Sequence, residues 1–289
     1  MHNLEHIAIG TANFCTPYGI MNQGVALEPH VVDAIFKKAI TNGIIAIDTA
    51  FAYGDFFALL KDKPYVPDLQ IITKFSVLDN YDDLLYDLSN LRVQHGLQSF
   101  YGLLVHDPRN LAEADPAWLK NFLDTVRELG LVRKIGVSVY DMTEVENFHN
   151  IIVPDLIQIP LNPLNQTFNC TAFKKYIAEH KVEIHARSLF LQGVLLAKNL
   201  PASLKDLEPL WQKFNNIAGS YASRLQVILS WAMNQSWIDK WVLGVSSLDD
   251  LEAIIQQVSS SNNLVPTNLF DYLKQSIHPL VDPRNWSTK

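Results

Sequence analysis

Cysteine is scarce: Cys15 and Cys170 are the two in 289 residues. They form no CxxC pair and join no Cys/His cluster, which argues against a disulfide framework and against a thiolate metal site. Two thiols in a reducing compartment are expected. Basic residues are also few: Lys and Arg number 23 against 30 Asp and Glu, a formal charge of −7. Nucleic acid is therefore not an expected partner, since phosphate recognition needs clustered cations. An anionic ligand would need local donors. No apolar run reaches the roughly 18 residues of a membrane span. The start, MHNLEHIAIG, lacks a basic segment followed by a long apolar stretch, so no secretory signal and a cytoplasmic location are expected. No Pro/Gly/Ser-rich linker divides the chain, and residues 1–289 read as one domain.

What the chain does have is alternation. Short apolar runs at His6–Gly10, Ile44–Asp48, Gln70–Lys74, Tyr101–His106, Arg133–Ser138, Leu156–Pro160, Val182–Arg187 and Lys240–Val245 read as strands buried on both faces. Between them lie helical patterns at Pro29–Asn42, Leu84–Gln94, Trp118–Leu129, Thr143–His149, Ala172–His180, Ser220–Met233 and Leu248–Val258, with a weak one at Asp55–Leu60. Such repeated alternation predicts a closed (β/α)8 barrel. An open doubly wound sheet is the other possibility, but no GxGxxG follows the first run. Leu195–Gly219, with Pro201 and Pro209, reads as a long irregular loop, and Asn262–Lys289 as an irregular tail.

In such a barrel, chemistry belongs at the C-terminal strand ends. Asp48, Lys74 and His106 end the second, third and fourth runs, and Tyr53 follows Asp48 by five residues. Singly, each has a plain structural explanation: a turn cap, a hydrogen-bonded core histidine, a rim aromatic. Together they make sense as a set. A buried lysine needs a counter-charge, which Asp48 supplies. Tyrosine is a poor acid, with an ordinary pKa of about 10, and a nearby ammonium is expected to lower it. His106 is placed to orient a carbonyl oxygen. The set fits protonation of a carbonyl that receives hydride from a cofactor, and it offers no metal ligand cluster.

On these residues the chain resembles the aldo-keto reductase family. Asp48, Tyr53, Lys74 and His106 match that family's tetrad in order and spacing. The likeness extends through IAIGTANFCTPYGI, GLVRKIGVS, DLIQIPLNPLNQ, RSLFLQGVLL and WVLGVSSLDDL, from Ile9 to about Ile255. The resemblance implies a (β/α)8 barrel and NADPH or NADH as cofactor. It implies nicotinamide contacts at Ser138 and Gln158, with Arg187 where an aromatic usually stacks. It also implies pyrophosphate contacts at Ser188, Leu189, Leu191 and Gln192, and further cofactor contacts at Gly10, Thr11, Gly244, Ser246 and Ser247. Phe14, Tyr18, Phe51 and Tyr140 are expected to wall the pocket for an aldehyde, ketone or sugar derivative. The chain departs from the pattern at Val139, where the family has Asn. It also has Gly244 and Asp250 near where the family places Lys and Arg on a 2′-phosphate, which predicts weak discrimination between NADPH and NADH.

Two other readings remain. Lys74 could form a Schiff base in a lyase, though pairing with Asp48 makes it a poor nucleophile. Alternatively, the barrel could bind cofactor as a redox-sensing module with little turnover.

Overall fold

The structure is a computed structural model that describes residues 4–21, 26–221, 223–260, 265–266, 268–274 and 278–286. Parts of the tail and the first three residues lie outside it. Among the described residues, eight parallel strands close into a barrel in chain order. They are β1 (Ile7–Gly10), β2 (Ala46–Asp48), β3 (Gln70–Phe75), β4 (Phe100–Val105), β5 (Val132–Ser138), β6 (Leu156–Pro160), β7 (Glu183–Arg187) and β8 (Lys240–Gly244). Closure comes from β8 pairing with β1, with Gly10 opposite Gly244. The helices are α1 (Pro29–Thr41), α2 (Phe56–Leu60), α3 (Tyr81–Gln94), α4 (Pro116–Glu128), α5 (Met142–His149), α6 (Thr171–His180), α7 (Glu208–Ala218), α8 (Arg224–Met233) and α9 (Leu248–Ser260). No helix of the described residues is long and apolar enough to cross a membrane.

The near-continuous apolar strands follow from burial on both sides. Ile7, Ile9, Ile47, Ile71, Leu103 and Ile157 belong to the large core shared with the helices. Ala8, Ala46, Ile72, Leu104, Leu156 and Val242 form a separate plug inside the barrel. Packing there is tight. A Cβ on Gly136 would lie 1.8 Å from the Leu156 carbonyl oxygen, so only glycine fits.

Helix starts are set by polar caps that apolar periodicity does not reveal. Asn80 accepts from the N–H groups of Asp82 and Asp83, and Asp115 from those of Ala117 and Trp118. Helices α3 and α4 therefore begin two or three residues before the expected Leu84 and Trp118. Ser223 caps α8, which starts at Arg224 instead of Ser220. The largest correction concerns Leu195–Gly219. It is not irregular throughout: α7 occupies Glu208–Ala218, with Pro209 in its first turn, where proline is tolerated. Leu210, Trp211, Phe214 and Ala218 bury its inner face. The tail forms short 3-10 turns at Asp271–Leu273, Pro279–Val281 and Pro283–Asn285.

Side chains alternate along a strand, so residues two apart share a face. Asp48 lies two past Ala46, Lys74 two past Ile72, His106 two past Leu104 and Gln158 two past Leu156. Four of the six plug residues thus have a polar residue directly above them at the C-terminal mouth, and the other two, Ala8 and Val242, have Gly10 and Gly244 there.

Candidate active site

Lys74 is fully buried, with 1% of its side chain exposed, and Asp48 is buried beside it. The Lys74 ammonium donates to Asp48 Oδ1 at 2.5 Å and to the Thr49 carbonyl at 2.9 Å. Burial pushes Lys74 toward the neutral amine, while the Asp48 carboxylate opposes this. Asp48 Oδ2 accepts from Gln158 Nε2 at 2.7 Å. The Ser138 hydroxyl lies 3.4 Å from Gln158 Oε1 and accepts from Arg187 Nε at 3.2 Å. A single polar chain therefore crosses the mouth from Lys74 through Asp48, Gln158 and Ser138 to Arg187.

Tyr53 stands beside this chain on the 3-10 turn Phe51–Tyr53 after β2. Its hydroxyl is 3.5 Å from His106 Nε2, and Lys74 Nζ is 5.3 Å from the ring centroid. Burial pushes the phenol well above its ordinary range, the Asp48 carboxylate adds to this, and the Arg187 guanidinium pulls it back. The expectation that Lys74 is the cation lowering Tyr53 needs correcting. Lys74 is held against Asp48, and the pair acts on the phenol more as a dipole than as a free charge. Burial, with Lys74 and Arg187 nearby, pushes His106 down to about 4, so at neutral pH its imidazole is uncharged.

An elongated cavity of about 430 Å³ runs from this mouth toward α8 and α9. Asp48, Tyr53, Gln158 and Arg187 line its inner end. Leu225, Ala253 and Ile254 form an apolar outer end. Between them lies the turn after β7. There Ser188, Leu191 and Gln192 have φ values of +61°, +47° and +51°, followed by Gly193 at +89°. Left-handed non-glycine residues cost roughly 1–3 kcal/mol each. Here the turn leaves the N–H groups of Leu189, Phe190 and Gln192 without an acceptor among the described residues. An aromatic-sized apolar end, a stretch of free backbone donors and a polar inner end fit a dinucleotide.

The structure sorts the residues expected from sequence. Gly10, Thr11, Tyr18, Gln158, Arg187, Ser188, Leu189, Gln192, Gly244 and Ser246 line the cavity. Ser138 lies behind it, held between Gln158 and Arg187. Leu191 is fully buried, and the Ser247 hydroxyl accepts from the Asp250 N–H in the first turn of α9. Phe14 is not a pocket wall. A tight turn, with the Phe14 N–H bonded to the Thr11 carbonyl, carries the ring into the core, 5.7 Å from Phe36 and 6.5 Å from Phe56. Phe51 sits off the cavity, half-buried, with its ring 6.3 Å from Phe57. Tyr140 lies between two guanidinium groups, those of Arg187 at 4.1 Å and Arg284 at 3.5 Å from its ring centroid. Sequence reading missed the outer apolar end. Leu225 and Ile254 lie on helices far apart in the chain and look like ordinary core positions. It also missed Asn13, whose amide ties the first loop to the Val245 carbonyl and the Ser246 hydroxyl.

The sequence model of the Aldo/keto reductase family matches residues 6–268. None of the curated proteins matches the chain in sequence. Among solved structures, the aldo-keto reductase AKR11C1 from Bacillus halodurans, in its holo form, superposes with a TM-score of 0.72 at 14% identity, over 94% of this chain and 93% of that one. The glycerol dehydrogenase AKR11B4 from Gluconobacter oxydans gives 0.70 at 16% identity, over 95% and 94%. At these identities the likeness speaks for the fold.

Proposed function

The chain belongs to the aldo/keto reductase family, whose members use NAD(P)H, and from that premise we propose that its barrel mouth interconverts a carbonyl and an alcohol with Tyr53 as proton donor. The observation that carries the proposal is the position of the Tyr53 hydroxyl. It borders the cavity and lies within reach of His106, above the buried Lys74–Asp48 pair.

Bound NAD(P)H supplies the hydride that reduces the carbonyl carbon. The turn Ser188–Gly193 would hold its phosphates, and Gln158 its carboxamide. Tyr53 gives its hydroxyl proton to the carbonyl oxygen. The raised pKa keeps Tyr53 protonated at neutral pH, and it does not prevent transfer, because an alkoxide is a far stronger base than a phenolate. The neutral His106 can donate one N–H to the same oxygen and orient it. Lys74 and Asp48 hold the floor of the site by their mutual bond. That pairing also supports this reading over an amine nucleophile at Lys74, since an ion-paired ammonium has no lone pair to offer. A barrel that only senses redox state needs no proton donor beside a carbonyl-orienting imidazole.

Tyr53→Phe should fold normally and bind NADPH, yet lose roughly 10²–10⁴-fold in kcat on an aldehyde. The measurement is NADPH consumption with a panel of aldehydes, beside cofactor binding by fluorescence quenching. A variant that keeps near-full turnover would remove Tyr53 from the role.

A further inference from the structure

The inner end of the cavity carries one net positive charge. Lys74 and Asp48 cancel, and burial leaves His106 uncharged at neutral pH. At the rim, Asp107 is paired with Arg109, and Arg284 with Asp282 and Glu144. Asp250 lies at the other end, bonded to the Ser246 N–H. What remains is Arg187, which is half-buried, lines the cavity and makes no ion pair among the described residues. Its position is fixed. Nε donates to Ser138 Oγ at 3.2 Å, one terminal nitrogen donates to the Val139 carbonyl at 3.3 Å, and the other approaches Ser188 Oγ at 3.5 Å. The guanidinium also sits on the Tyr140 ring. Its charge is felt across the mouth. After burial, which dominates each shift, it draws the Tyr53 and Tyr18 phenols down and opposes protonation of His106.

The proposed reaction changes a charge beside this cation. The carbonyl has to meet Tyr53 and the hydride donor together, so the nicotinamide of NAD(P)H belongs at the inner end, which Tyr53, Gln158 and Arg187 line. Hydride leaves the uncharged dihydronicotinamide for the carbonyl carbon, Tyr53 passes its proton to the oxygen, and solvent returns a proton to Tyr53. The balance is carbonyl plus NADPH plus H⁺ giving alcohol plus NADP⁺. The ring therefore ends with a positive charge that it lacked at the start. Like charges sharing a partly buried site repel. Arg187 also adjoins the Ser188–Gly193 turn, where it can bond to the cofactor's phosphates. Those phosphates are the same in both oxidation states. Their contact with Arg187 softens the repulsion, but it strengthens both forms alike and leaves the ring as the part whose charge differs.

We infer that Arg187 makes the site select the reduced cofactor over the oxidised one, so that carbonyl reduction is the favoured direction of use. The overall equilibrium of the reaction is untouched; what shifts is which cofactor form occupies the site when both are present. This rests on the proposed reductase reading, and the test separates the two. Kd is measured by calorimetry on the full chain, at matched salt, for NADPH, NADP⁺ and 2′-phospho-ADP-ribose, which has the phosphates and no nicotinamide. Wild-type protein should bind NADP⁺ at least about tenfold more weakly than NADPH. Arg187→Gln should lower that ratio by about fivefold or more, whatever happens to the separate affinities. Arg187→Lys keeps the charge and loses the planar fork, so it should hold the ratio within about twofold of wild type. The inference is overturned if wild-type protein binds both forms alike. It is also overturned if Arg187→Gln weakens all three ligands by the same factor and leaves the ratio intact, which would make Arg187 a phosphate anchor only. A biased ratio that collapses in Arg187→Gln, without reduction of any aldehyde, would uphold the selection and overturn the reductase reading. Aldehyde turnover with an unbiased ratio would do the reverse, and binding of neither form would overturn both.

Discussion

The two ends of the barrel are built from similar residues and do different things. At the N-terminal end, Glu183 lies among Tyr101, Lys134 and His185. Its carboxylate accepts from the Tyr101 hydroxyl at 2.8 and 3.0 Å, from His185 Nε2 at 2.6 Å and from the Lys134 ammonium. Burial alone would push that carboxyl up, but these donors hold it at about 2. The chain itself supplies every donor to that carboxylate, and the ring atom left over, His185 Nδ1, is fully buried and reaches nothing outside. At the C-terminal end, Lys74 and Asp48 are also paired, but their polar chain ends at Arg187, which faces the cavity without a carboxylate. The comparison shows how to tell a structural ion cluster from a functional one. Burial and titration look alike in both; what differs is whether donors remain for something outside the chain.

The sharpest way to break this contrast is to remove one anchor at the closed end. Glu183→Ala leaves Lys134 and His185 around a partly buried void. Breaking a buried pair costs roughly 3–5 kcal/mol, and the partial exposure of Lys134 lowers the expectation to about 2–4 kcal/mol. Urea unfolding should show that loss, while kcat per folded molecule stays within about twofold of wild type. If turnover fell a hundredfold with the fold intact, the two ends would be coupled and the division of labour would be wrong.

Much of this division can be read from sequence, and the limit has a physical cause. Strand ends carry a local signal, because a charged residue closing an apolar run is unusual wherever it occurs. Asp48, Lys74 and His106 could be found that way, as could the barrel itself. Glu183 and His185 sit in the same kind of run, but at its start, and invite no functional reading. What stayed hidden depends on contacts between distant segments. Arg284 meets Tyr140 across 144 positions, and no periodicity announces it. Phe14 and Tyr18 share one loop and look equivalent in sequence, yet a single turn sends one ring into the core and leaves the other at the cavity. Helix α7 was hidden by Pro209, a residue that breaks a helix in its interior and starts one in its first turn.

Acid titration should separate the ends next. His106 is held at about 4, below its ordinary 6.5, so between those values the unfolded chain binds the proton that the folded chain refuses. The stability this provides is fully present above pH 6.5 and is lost as pH falls toward 4. Glu183 is held at about 2 against an ordinary 4.5, so its contribution is lost below 4.5. The mouth therefore weakens first. The His106 share is about 2–3 kcal/mol after allowing for its partial exposure. His106→Asn should flatten the decline in unfolding free energy between pH 6.5 and 4.5 and leave the steep loss below it. An unchanged slope in that upper window would mean that His106 titrates normally in the folded chain.

The smallest expected effect lies at the far end of the cavity and concerns cofactor choice. Asp250 lines the cavity beside Ser246, and its carboxylate accepts from the Ser246 N–H at 2.9 Å. That bond holds the β8–α9 turn in shape, so the residue has a structural duty besides any effect on the ligand. A 2′-phosphate near this turn would meet a negative charge, and Gly244 offers no compensating cation. A ribose hydroxyl would meet an acceptor instead. Because Asp250 is exposed, solvent and salt screen the repulsion, and the discrimination should be modest. Asp250→Asn is the cleaner variant, since its amide oxygen can still accept from Ser246, whereas Asp250→Arg would remove the turn bond together with the charge. The Kd ratio of NADPH to NADH, measured by fluorescence quenching at matched low salt, should move toward NADPH by about three- to tenfold, or up to ~1.4 kcal/mol. The shift should shrink as salt is raised. A wild-type preference for NADPH of about a thousandfold, unmoved in Asp250→Asn, would place the phosphate on donors away from Asp250 and sink the expectation of weak discrimination.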